Sequence, residues 1–376
     1  VNLASALGRV LHKPIKPKRD QPAFACSAMD GFAVRARDVK DVPVTLTVIG
    51  EARAGGAFAD QVKPGEAVAI YTGAPLPAGA DAIVIQEDTR VAGRQVTIAE
   101  PSAKGRFVRP RGFDFKSGET LIAVPKVLTA RDVGVAASAN CAAVSVRRKP
   151  VIALIGTGDE LVLPGETPRA DQIISSNNAA LASFIEHFGG QPMDLGLVPD
   201  RVASIKRAIH KARDADVLVT IGGASVGKHD LVQQALSESD IALNFWRIAM
   251  RPGKPLMFAR RGSQRIIGLP CNPVSALVCA RIFLKPLIDA LLGLPAEEPT
   301  VKARLGAALP RNDQRQDYLR ATVQHDRFGK LTVLPFARQD SSMQRLMAEA
   351  EALIIRAPFA RAAIKGTFVE ILPIDF

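Results

Sequence analysis

A glycine-rich segment at residues 222–230 contains the residues best suited to chemistry in this sequence. It follows the apolar run 217–221, so we expect it at the carboxyl end of a strand, where open α/β sheets place their ligands. Its glycines permit close backbone approach, and its N–H groups can hold an anion. The spacing Gly-x-x-x-x-Gly-Lys also matches phosphate-binding loops, but His229 stands where such loops need Ser or Thr for magnesium. The segment predicts an anion-binding loop of another kind, carrying Asp230; a tight turn without a ligand is the alternative.

Three further loops follow strand-like segments, at residues 156–160, 247–254 and 268–273. All four loops can therefore lie at the carboxyl edge of one sheet. Together they carry the hydroxyls of Thr157 and Ser225, the carboxylates of Glu160 and Asp230, and the cations of Arg247, Arg251 and Lys254. This mixture suits a phosphate compound bound through a divalent metal, because carboxylates hold the metal and cations hold the anion. A lone charge is usually solvated surface, but four strand-end loops together favour a site.

The charge balance favours an acidic partner. Lys and Arg number 49 against 37 Asp and Glu, a formal net charge of +12, which attracts nucleic acid, phosphates or oxyanions. The basic residues are dispersed, and aromatic residues make up only 5%, so a surface for stacking bases is not expected. We predict a small phosphorylated ligand and no nucleic acid.

The cysteines indicate a reducing compartment. Cys26, Cys141, Cys271 and Cys279 form no Cys-x-x-Cys pair, and the five histidines show no zinc spacing. No apolar run approaches membrane-spanning length, and no signal peptide is apparent. We therefore expect a cytoplasmic protein without a membrane partner.

The 376 residues are too many for one core, and the patterns divide them into several domains. Short strand patterns separated by Gly and Pro predict a β-rich inserted domain at 23–109. A helix end near 4–12 and a helix near 130–138 suggest that 1–22 and 110–147 form a split linker domain. Alternating strands and helices over 148–296 predict a doubly wound, mostly parallel α/β domain. Strands return in a C-terminal β domain at 297–376, which completes the α/β multidomain fold class that we expect.

Taken in order, the marked segments resemble the molybdopterin molybdenumtransferase family, which includes the E-domain of gephyrin. The segments that carry the resemblance are Ser27-Ala28-Met29-Asp30-Gly31, Thr72-Gly73-Ala74-Pro75, Gly79-Ala80-Asp81-Ala82, Gln86-Glu87, Arg109-Pro110-Arg111-Gly112, Thr157-Gly158-Asp159-Glu160-Leu161, Ser225-Val226-Gly227, Pro252-Gly253-Lys254-Pro255, Leu269-Pro270 and Asn272-Pro273-Val274-Ser275-Ala276. They extend over almost the whole chain in the order of the family.

The resemblance implies an elongated homodimer whose active cleft lies between the molybdopterin-binding α/β domain of one subunit and the inserted domain of the other. The implied reaction takes adenylylated molybdopterin and molybdate, places molybdenum on the dithiolene, and releases AMP with help from Mg²⁺. A molybdopterin adenylyltransferase would act upstream, and apo-molybdoenzymes or their chaperones would receive the product.

The resemblance also implies roles for individual residues. The polar positions tied to activity match Asp30, Thr72, Asp114, Glu160, Asp200 and Asp230, with Asp30, Glu160 and Asp230 as candidate metal ligands. The match at Asp200 rests on Pro199-Asp200-Arg201 alone. The expected substrate-binding positions are Thr157, Gly158, Asp159, Gly222, Gly223, Ser225, Gly227, Arg247, Arg251, Lys254, Pro270, Asn272 and Pro273. Arg247, Arg251 and Lys254 would hold the anion, and for the two prolines a purely structural role is an equal alternative.

Several positions depart from the family pattern. Lys228 stands where an acid is usual, Phe113 replaces a Glu, Cys271 replaces a Gly, and Ala25-Cys26 replaces a polar pair. These changes motivate a second hypothesis, a protein that binds or delivers molybdenum cofactor to a particular molybdoenzyme without catalysing insertion. A third, a P-loop ATPase, rests only on the glycine-rich segment. The active insertase is the favoured hypothesis.

Overall fold

The chain divides into two compact units, Val1–Val146 and Arg147–Phe376. The computed structural model describes residues 1–222, 231–297, 299–325, 328–374 and 376. Within those ranges, no helix combines the length and apolar character needed to cross a membrane.

The first unit contains a six-stranded sheet. Its strands and helix are β1 (Cys26–Ser27), β2 (Gly31–Val34), β3 (Val44–Ala52), β4 (Glu66–Ile70), β5 (Ala82–Ile85), β6 (Thr89–Ala92), β7 (Gln95–Ile98), β8 (Val108–Arg109) and α1 (Ala130–Ser138). The sheet order is β5-β2-β4-β3-β7-β6, while β1 pairs with β8. Alternate residues such as Phe32, Val34, Val84 and Val96 form one buried core of this sheet. The β-rich character predicted for this part of the chain is confirmed.

A separate core joins the beginning and the end of the first unit. Leu11 and Ile15 pack with Phe115, Ile122 and Leu128. The helix end expected at 4–12 is wrong. Only a short 3-10 turn, Leu3–Ser5, forms there, because the backbone then pairs through the bridges Val10↔Val127 and Leu11↔Val146, which require extended conformation.

The second unit begins with an α/β domain. Its elements are β9 (Val151–Thr157), β10 (Leu161–Val162), β11 (Ile173–Ile174), α2 (Asn177–His187), β12 (Gln191–Val198), α3 (Val202–Lys211), β13 (Val217–Ile221), α4 (Leu231–Ser237), β14 (Leu243–Trp246), β15 (Met250–Arg251), β16 (Met257–Arg261), β17 (Gln264–Leu269), α5 (Pro273–Cys279), a π-helical turn (Ala280–Leu284) and α6 (Lys285–Leu292).

Six of these strands form a mixed sheet in the order β12-β9-β13-β17-β16-β14. The first four are mutually parallel, and β16 and β14 complete the sheet as an antiparallel edge. Helix α2 packs with α5, and α3 packs with α4. The prediction of a doubly wound, mostly parallel α/β domain is confirmed, with an antiparallel hairpin at one edge.

The rest of the second unit is a β domain with β18 (Val301–Leu305), β19 (Gln316–His325), β20 (Leu331–Pro335), α7 (Gln344–Ala348), β21 (Ala352–Arg356) and β22 (Phe368–Pro373). Its strand order is β15-β19-β20-β18-β22-β21, and β19 also pairs with β21, which closes strands 18 to 22 into a barrel. We call this the C-terminal barrel. One of its neighbours, β15, comes from the α/β domain. The four domain boundaries predicted from the sequence stay a prediction.

Helix α1 matches its predicted range and has a capping box. Thr129 accepts from the backbone N–H of Asp132, and Asp132 accepts in return from the N–H of Thr129. A hydrogen bond from Lys126 Nζ (2.6 Å) and those from Thr129 lower the pKa of Asp132 to about 2. The capping interaction therefore stabilises the helix above pH 3.8 and is lost as the pH falls toward about 2.

We predict that Thr129→Ala lowers the free energy of opening of α1 by about 1 kcal/mol, since it removes one cap hydrogen bond. Hydrogen exchange of the amides of residues 130–138 at neutral pH measures this. Ser138→Ala, at the other end of the same helix, is the matched control and should leave the exchange unchanged. Equal exchange in Thr129→Ala and the wild type would contradict the capping role.

Candidate active site

The strand register brings the predicted loops to one edge of the sheet. Ile221, the last residue of β13, is opposite Gly156 of β9 and Leu269 of β17. On the hairpin side, Met257 is opposite both Trp246 of β14 and Gly268 of β17. The carboxyl ends of β9, β13, β14 and β17 therefore lie along one edge, as the sequence predicted, and the described loops after β9, β14 and β17 begin there.

A fifth loop joins them. Val198, at the end of β12, is opposite Thr157, so Asp200 lies at the same edge. Part of the predicted site falls on residues 223–230. Gly223, Ser225, Gly227, Lys228, His229 and Asp230 thus lie outside the described residues.

Three carboxylates gather at the ends of β9 and β12. The backbone N–H of Asp200 donates to Asp159 Oδ1 at 3.1 Å. Partial desolvation and then the negative charges of Asp159 and Glu160 raise the pKa of Asp200. Glu160 lies over Gly158, where a Cβ would come within 2.6 Å of Glu160 Oε2. The absence of a side chain at Gly158 makes room for the third carboxylate.

The cluster formed by Asp159, Glu160 and Asp200 offers carboxylate oxygens, the donors that a divalent cation prefers. Neighbouring negative charges raise the pKa of a carboxyl group, and a bound cation relieves the same repulsion between the carboxylates. Among the described residues, however, no three acid, His or Cys side chains are arranged as a complete set of metal ligands. The group fits Mg²⁺ in its usual form, with one or two carboxylates and the remaining oxygens supplied by a phosphate or water. Of the predicted metal ligands, Glu160 lies here, Asp30 lies in the first unit, and Asp230 is not described.

Gly222 and Thr157 form a close contact between two neighbouring loops. Gly222 has φ +90°, and a Cβ there would be 2.7 Å from the carbonyl oxygen of Thr157. Thr157 is itself buried, with its hydroxyl 3.5 Å from the carbonyl oxygen of Ile221. Both residues therefore shape the edge; their direct contact with a ligand stays a prediction.

The loop between β14 and β16 carries the predicted anion ligands. Arg247 has φ +76°, and its guanidinium lies 3.8 Å from the centre of the Trp246 ring. Lys254 is exposed at the other end of the loop. Arg251 forms ion pairs with Asp317 and, at 3.5 Å, with Asp313. Arg251 thus contacts the C-terminal barrel, which the sequence did not predict.

The loop after β17 is held by two residues that sequence reasoning missed. Asn177 Nδ2 donates to the carbonyl oxygen of Cys271 at 2.6 Å. Ser341 accepts from Asn272 Nδ2 at 2.9 Å through its hydroxyl. Ser341 belongs to the segment 339–345 between β20 and β21, which resembles the family pattern only in part and carries no predicted site residue. Of the prolines, Pro270 is buried and Pro273 begins α5, so both have a clear structural role. Cys271 is exposed at this edge.

The first unit brings together two predicted residues, Asp30 and Thr72. The backbone N–H and the hydroxyl of Thr72 donate to Asp30 Oδ1 at 2.7 and 2.8 Å. These two hydrogen bonds lower the pKa of Asp30. The following Gly31 is required by packing, because a Cβ there would lie 2.0 Å from the carbonyl oxygen of Val84. Asp30 is therefore an exposed, ionised and well-oriented carboxylate.

Asp114 lines a cleft of about 670 Å³ in the same unit. The cleft is also lined by Phe24, Gly73, Arg109 and Phe113. Because Gly73 follows Thr72 directly, the Asp30–Thr72 pair adjoins this cleft. Phe113, which replaces the usual Glu, is 66% exposed, so the departure from the family lies on an accessible wall.

We predict that Thr72→Val raises the pKa of Asp30 toward its ordinary value, because one of the two hydrogen bonds that stabilise the carboxylate is lost. An NMR titration of the Asp30 carboxyl measures the shift. Thr72→Ser keeps the hydroxyl and should retain the lowered pKa. An unchanged pKa in Thr72→Val would show that the backbone hydrogen bond alone is responsible.

Three protein families match successive parts of the chain. Residues 1–140 match the MoeA N-terminal region (domain I and II), residues 153–290 match a probable molybdopterin binding domain, and residues 302–374 match the MoeA C-terminal region (domain IV). The order agrees with the two units and their sheets.

Individual relatives extend over most of the chain. The molybdopterin molybdenumtransferase of Nostoc sp. is 36% identical over 329 residues, 85% of this chain and 76% of that protein. Molybdopterin molybdenumtransferase 2 of Mycobacterium tuberculosis is 33% identical over 365 residues, 94% of this chain and 89% of that protein. The crystal structure of the molybdopterin biosynthesis MoeA protein from Pyrococcus horikosii superposes with a TM-score of 0.86 at 29% identity, covering 100% of this chain and 94% of that one. The chain therefore belongs to the molybdopterin molybdenumtransferase (MoeA) family.

Proposed function

We propose that this chain is a molybdenum insertase of molybdenum cofactor biosynthesis. Its substrates would be molybdate and adenylylated molybdopterin, and its products molybdenum-molybdopterin and AMP. The observation that carries the proposal is the alignment of five strand ends at one sheet edge, where the described loops carry carboxylates on one side and cations on the other. Family membership supplies the substrate class.

The sheet order separates the two kinds of charge by a distance that suits a long substrate. The acids follow β9 and β12, whereas Arg247 and Lys254 flank the hairpin loop between β14 and β16. Three strand spacings lie between β9 and β16, which corresponds to about 14 Å. A ligand with two functional ends, such as a pterin joined to a nucleotide through a phosphoanhydride, can reach both groups at once.

The acidic group would act on the phosphoanhydride. Glu160 and Asp200 would hold Mg²⁺, which, when bound, neutralises charge on the anhydride oxygens. Asp159 keeps Asp200 in place by accepting from its backbone N–H. Burial and the charges of Asp159 and Glu160 raise the pKa of Asp200, and a bound cation would relieve this repulsion. Asp230 belongs to this group by resemblance only.

The cationic side would collect molybdate. The positive charges of Arg247 and Lys254 are suited to attracting an oxyanion electrostatically. Thr157 and Gly222 would shape the edge against which the pterin lies. Asp30, Thr72 and Asp114 form a second group of site residues in the first unit, and we assign them to the same reaction on the basis of the family match.

The remaining parts of the proposal follow the resemblance. We infer a homodimer, a molybdopterin adenylyltransferase as the upstream supplier, and apo-molybdoenzymes or their chaperones as recipients. We place the reaction in the cytoplasm, since all four cysteines are free thiols.

A second candidate function is favoured by Phe113 and Cys271. Phe113 brings an exposed ring to the cleft in place of a carboxylate, and Cys271 brings an exposed thiol to the sheet edge. A protein that binds and delivers the cofactor without catalysis would retain the binding loops and lose acids. Glu160, Asp200 and Asp30 are all retained, so we favour the enzyme.

We predict that Glu160→Gln lowers the rate of molybdenum insertion by about 10²-fold, because it removes a carboxylate that would hold the Mg²⁺ needed to neutralise charge on the anhydride. The measurement is anaerobic incubation with adenylylated molybdopterin, molybdate and Mg²⁺, following AMP release and reconstitution of an apo-molybdoenzyme. Chelation of Mg²⁺ should have an effect similar to that of the substitution.

Glu238→Gln is the matched control. Glu238 pairs with Lys206 at 3.1 Å. It lies between the end of α4 and the start of β14, at the opposite end of the strands from the site. Removing its charge should therefore leave the rate unchanged. Tight binding of adenylylated molybdopterin by the wild type without AMP release would reject catalysis and favour the delivery protein.

A further inference from the structure

The tip of the predicted anion loop pairs with a strand of the C-terminal barrel. Met250 and Arg251 form β15, which pairs in parallel with Gln316 and Asp317 of β19. The backbone N–H of Gln316 also donates to the carbonyl oxygen of Ala249 at 2.9 Å. Arg247 and Lys254, at either end of the loop, are thus attached to the barrel through the residues between them.

A buried ion pair strengthens this attachment. Asp317 is 3% exposed, and its Oδ2 accepts from Arg251 Nη2. Its other oxygen, Oδ1, is buried and has no hydrogen-bond partner among the described residues. Among the described residues, Arg251 donates the side-chain hydrogen bond to Asp317, while the charge of Arg315 interacts with it more weakly. Separating Arg251 from Asp317 would leave a buried carboxylate without its hydrogen-bond donor, which is costly.

The barrel domain also holds the neighbouring site loop. The hydroxyl of Ser341 accepts from Asn272, and its carbonyl oxygen accepts from the backbone N–H of Val274 at 3.2 Å. Two of the five loops at the sheet edge are thus fixed from outside the α/β domain.

We propose that Asp317 is a positioning residue for molybdate binding, a claim that rests on the proposed insertase function. Through Arg251 it fixes the loop 247–254, so that Arg247 and Lys254 face the sheet edge at a defined spacing. The C-terminal barrel, which carries none of the predicted site residues, then has a specific task in the reaction. Asp317 acts only through Arg251 and touches no substrate in this account.

The loop contains its own spectroscopic reporter. Trp246 is the single tryptophan in the sequence, and the Arg247 guanidinium lies over its ring at 3.8 Å. Release of the loop would disturb this stacked pair and open the indole to small quenchers. Acrylamide quenching of intrinsic fluorescence therefore measures the position of the loop without any substrate.

The test is Asp317→Asn, which keeps the shape of the side chain and removes its charge. We expect stronger acrylamide quenching of Trp246 and a loss in kcat/KM for molybdate of roughly 10-fold or more, since a positioning error of about 1 Å can cost ~10²-fold. The loss should appear mainly in KM, because the displaced groups bind the anion. Unchanged quenching together with unchanged KM would overturn the proposal.

Asp289→Asn is the matched control. Asp289 is a buried carboxylate paired with Lys285 at 2.8 Å, about 24 Å along the helix axis from Pro273. It should lower thermal stability without changing Trp246 quenching or KM. An equal rise in KM for both variants would show that the effect is general destabilisation and would overturn the proposal.

If Asp317→Asn does not fold, Arg251→Lys replaces it, because this variant keeps the compensating charge and loses the planar fork. The same changes in quenching and KM are expected, and wild-type values would overturn the proposal. A wild type without insertion activity would refute the proposed function, whereas the quenching comparison would still decide whether Asp317 positions the loop.

Discussion

The candidate site depends on the parallel register of β9, β13 and β17. Every residue of β13 is buried, with neighbours on both sides in the sheet. A slip of one residue would turn each side chain to the opposite face and misplace the loops at its end. Burial of this kind stabilises by about 1.5–3 kcal/mol for each large aliphatic side chain. The register is therefore strongly specified, and it determines which loops meet at the carboxyl edge.

The distribution of charge follows from this register and from the reversal of strand order. The chain moves from β9 outward to β12 and then back across to β13, so the strand order reverses between β9 and β13, a position at which open α/β sheets bind ligands. The acids follow β9 and β12, on one side of this reversal. The antiparallel hairpin on the far side adds cations, and its loop is attached to the C-terminal barrel by β15. The α/β sheet thus supplies one half of the site, while the barrel domain adjusts the other half.

Much of this arrangement was predictable from local pattern. The apolar run 217–221 and the helix 130–138 were read with their observed limits, because burial and capping signals lie within the segments themselves. Convergence of the loops followed from the α/β alternation. The helix end expected at 4–12 is wrong, because pairing of residues 10 and 11 with residues 127 and 146, far along the chain, overrides local preference.

Side-chain contacts between domains could not be predicted from the sequence. Arg251 was expected to bind an anion, yet it pairs with Asp317, 66 residues away. The contact of Ser341 with Asn272 joins residues 69 positions apart. Neither pair has a spacing signature, since both depend on where the barrel domain meets the loops. Site roles were predicted for Asp159, Glu160 and Asp200 one by one, but not their contact, because Asp200 lies 40 residues or more along the chain from the other two.

The most direct test of the account is hydrogen exchange of the whole protein with and without adenylylated molybdopterin and molybdate. Ligand protection should concentrate at one sheet edge, in residues 157–160, 199–201, 247–256 and 269–273. The start of β14 and the end of α4, at the opposite edge, should exchange as before. Protection confined to the opposite edge, or binding without protection of these loops, would contradict the assignment of the site.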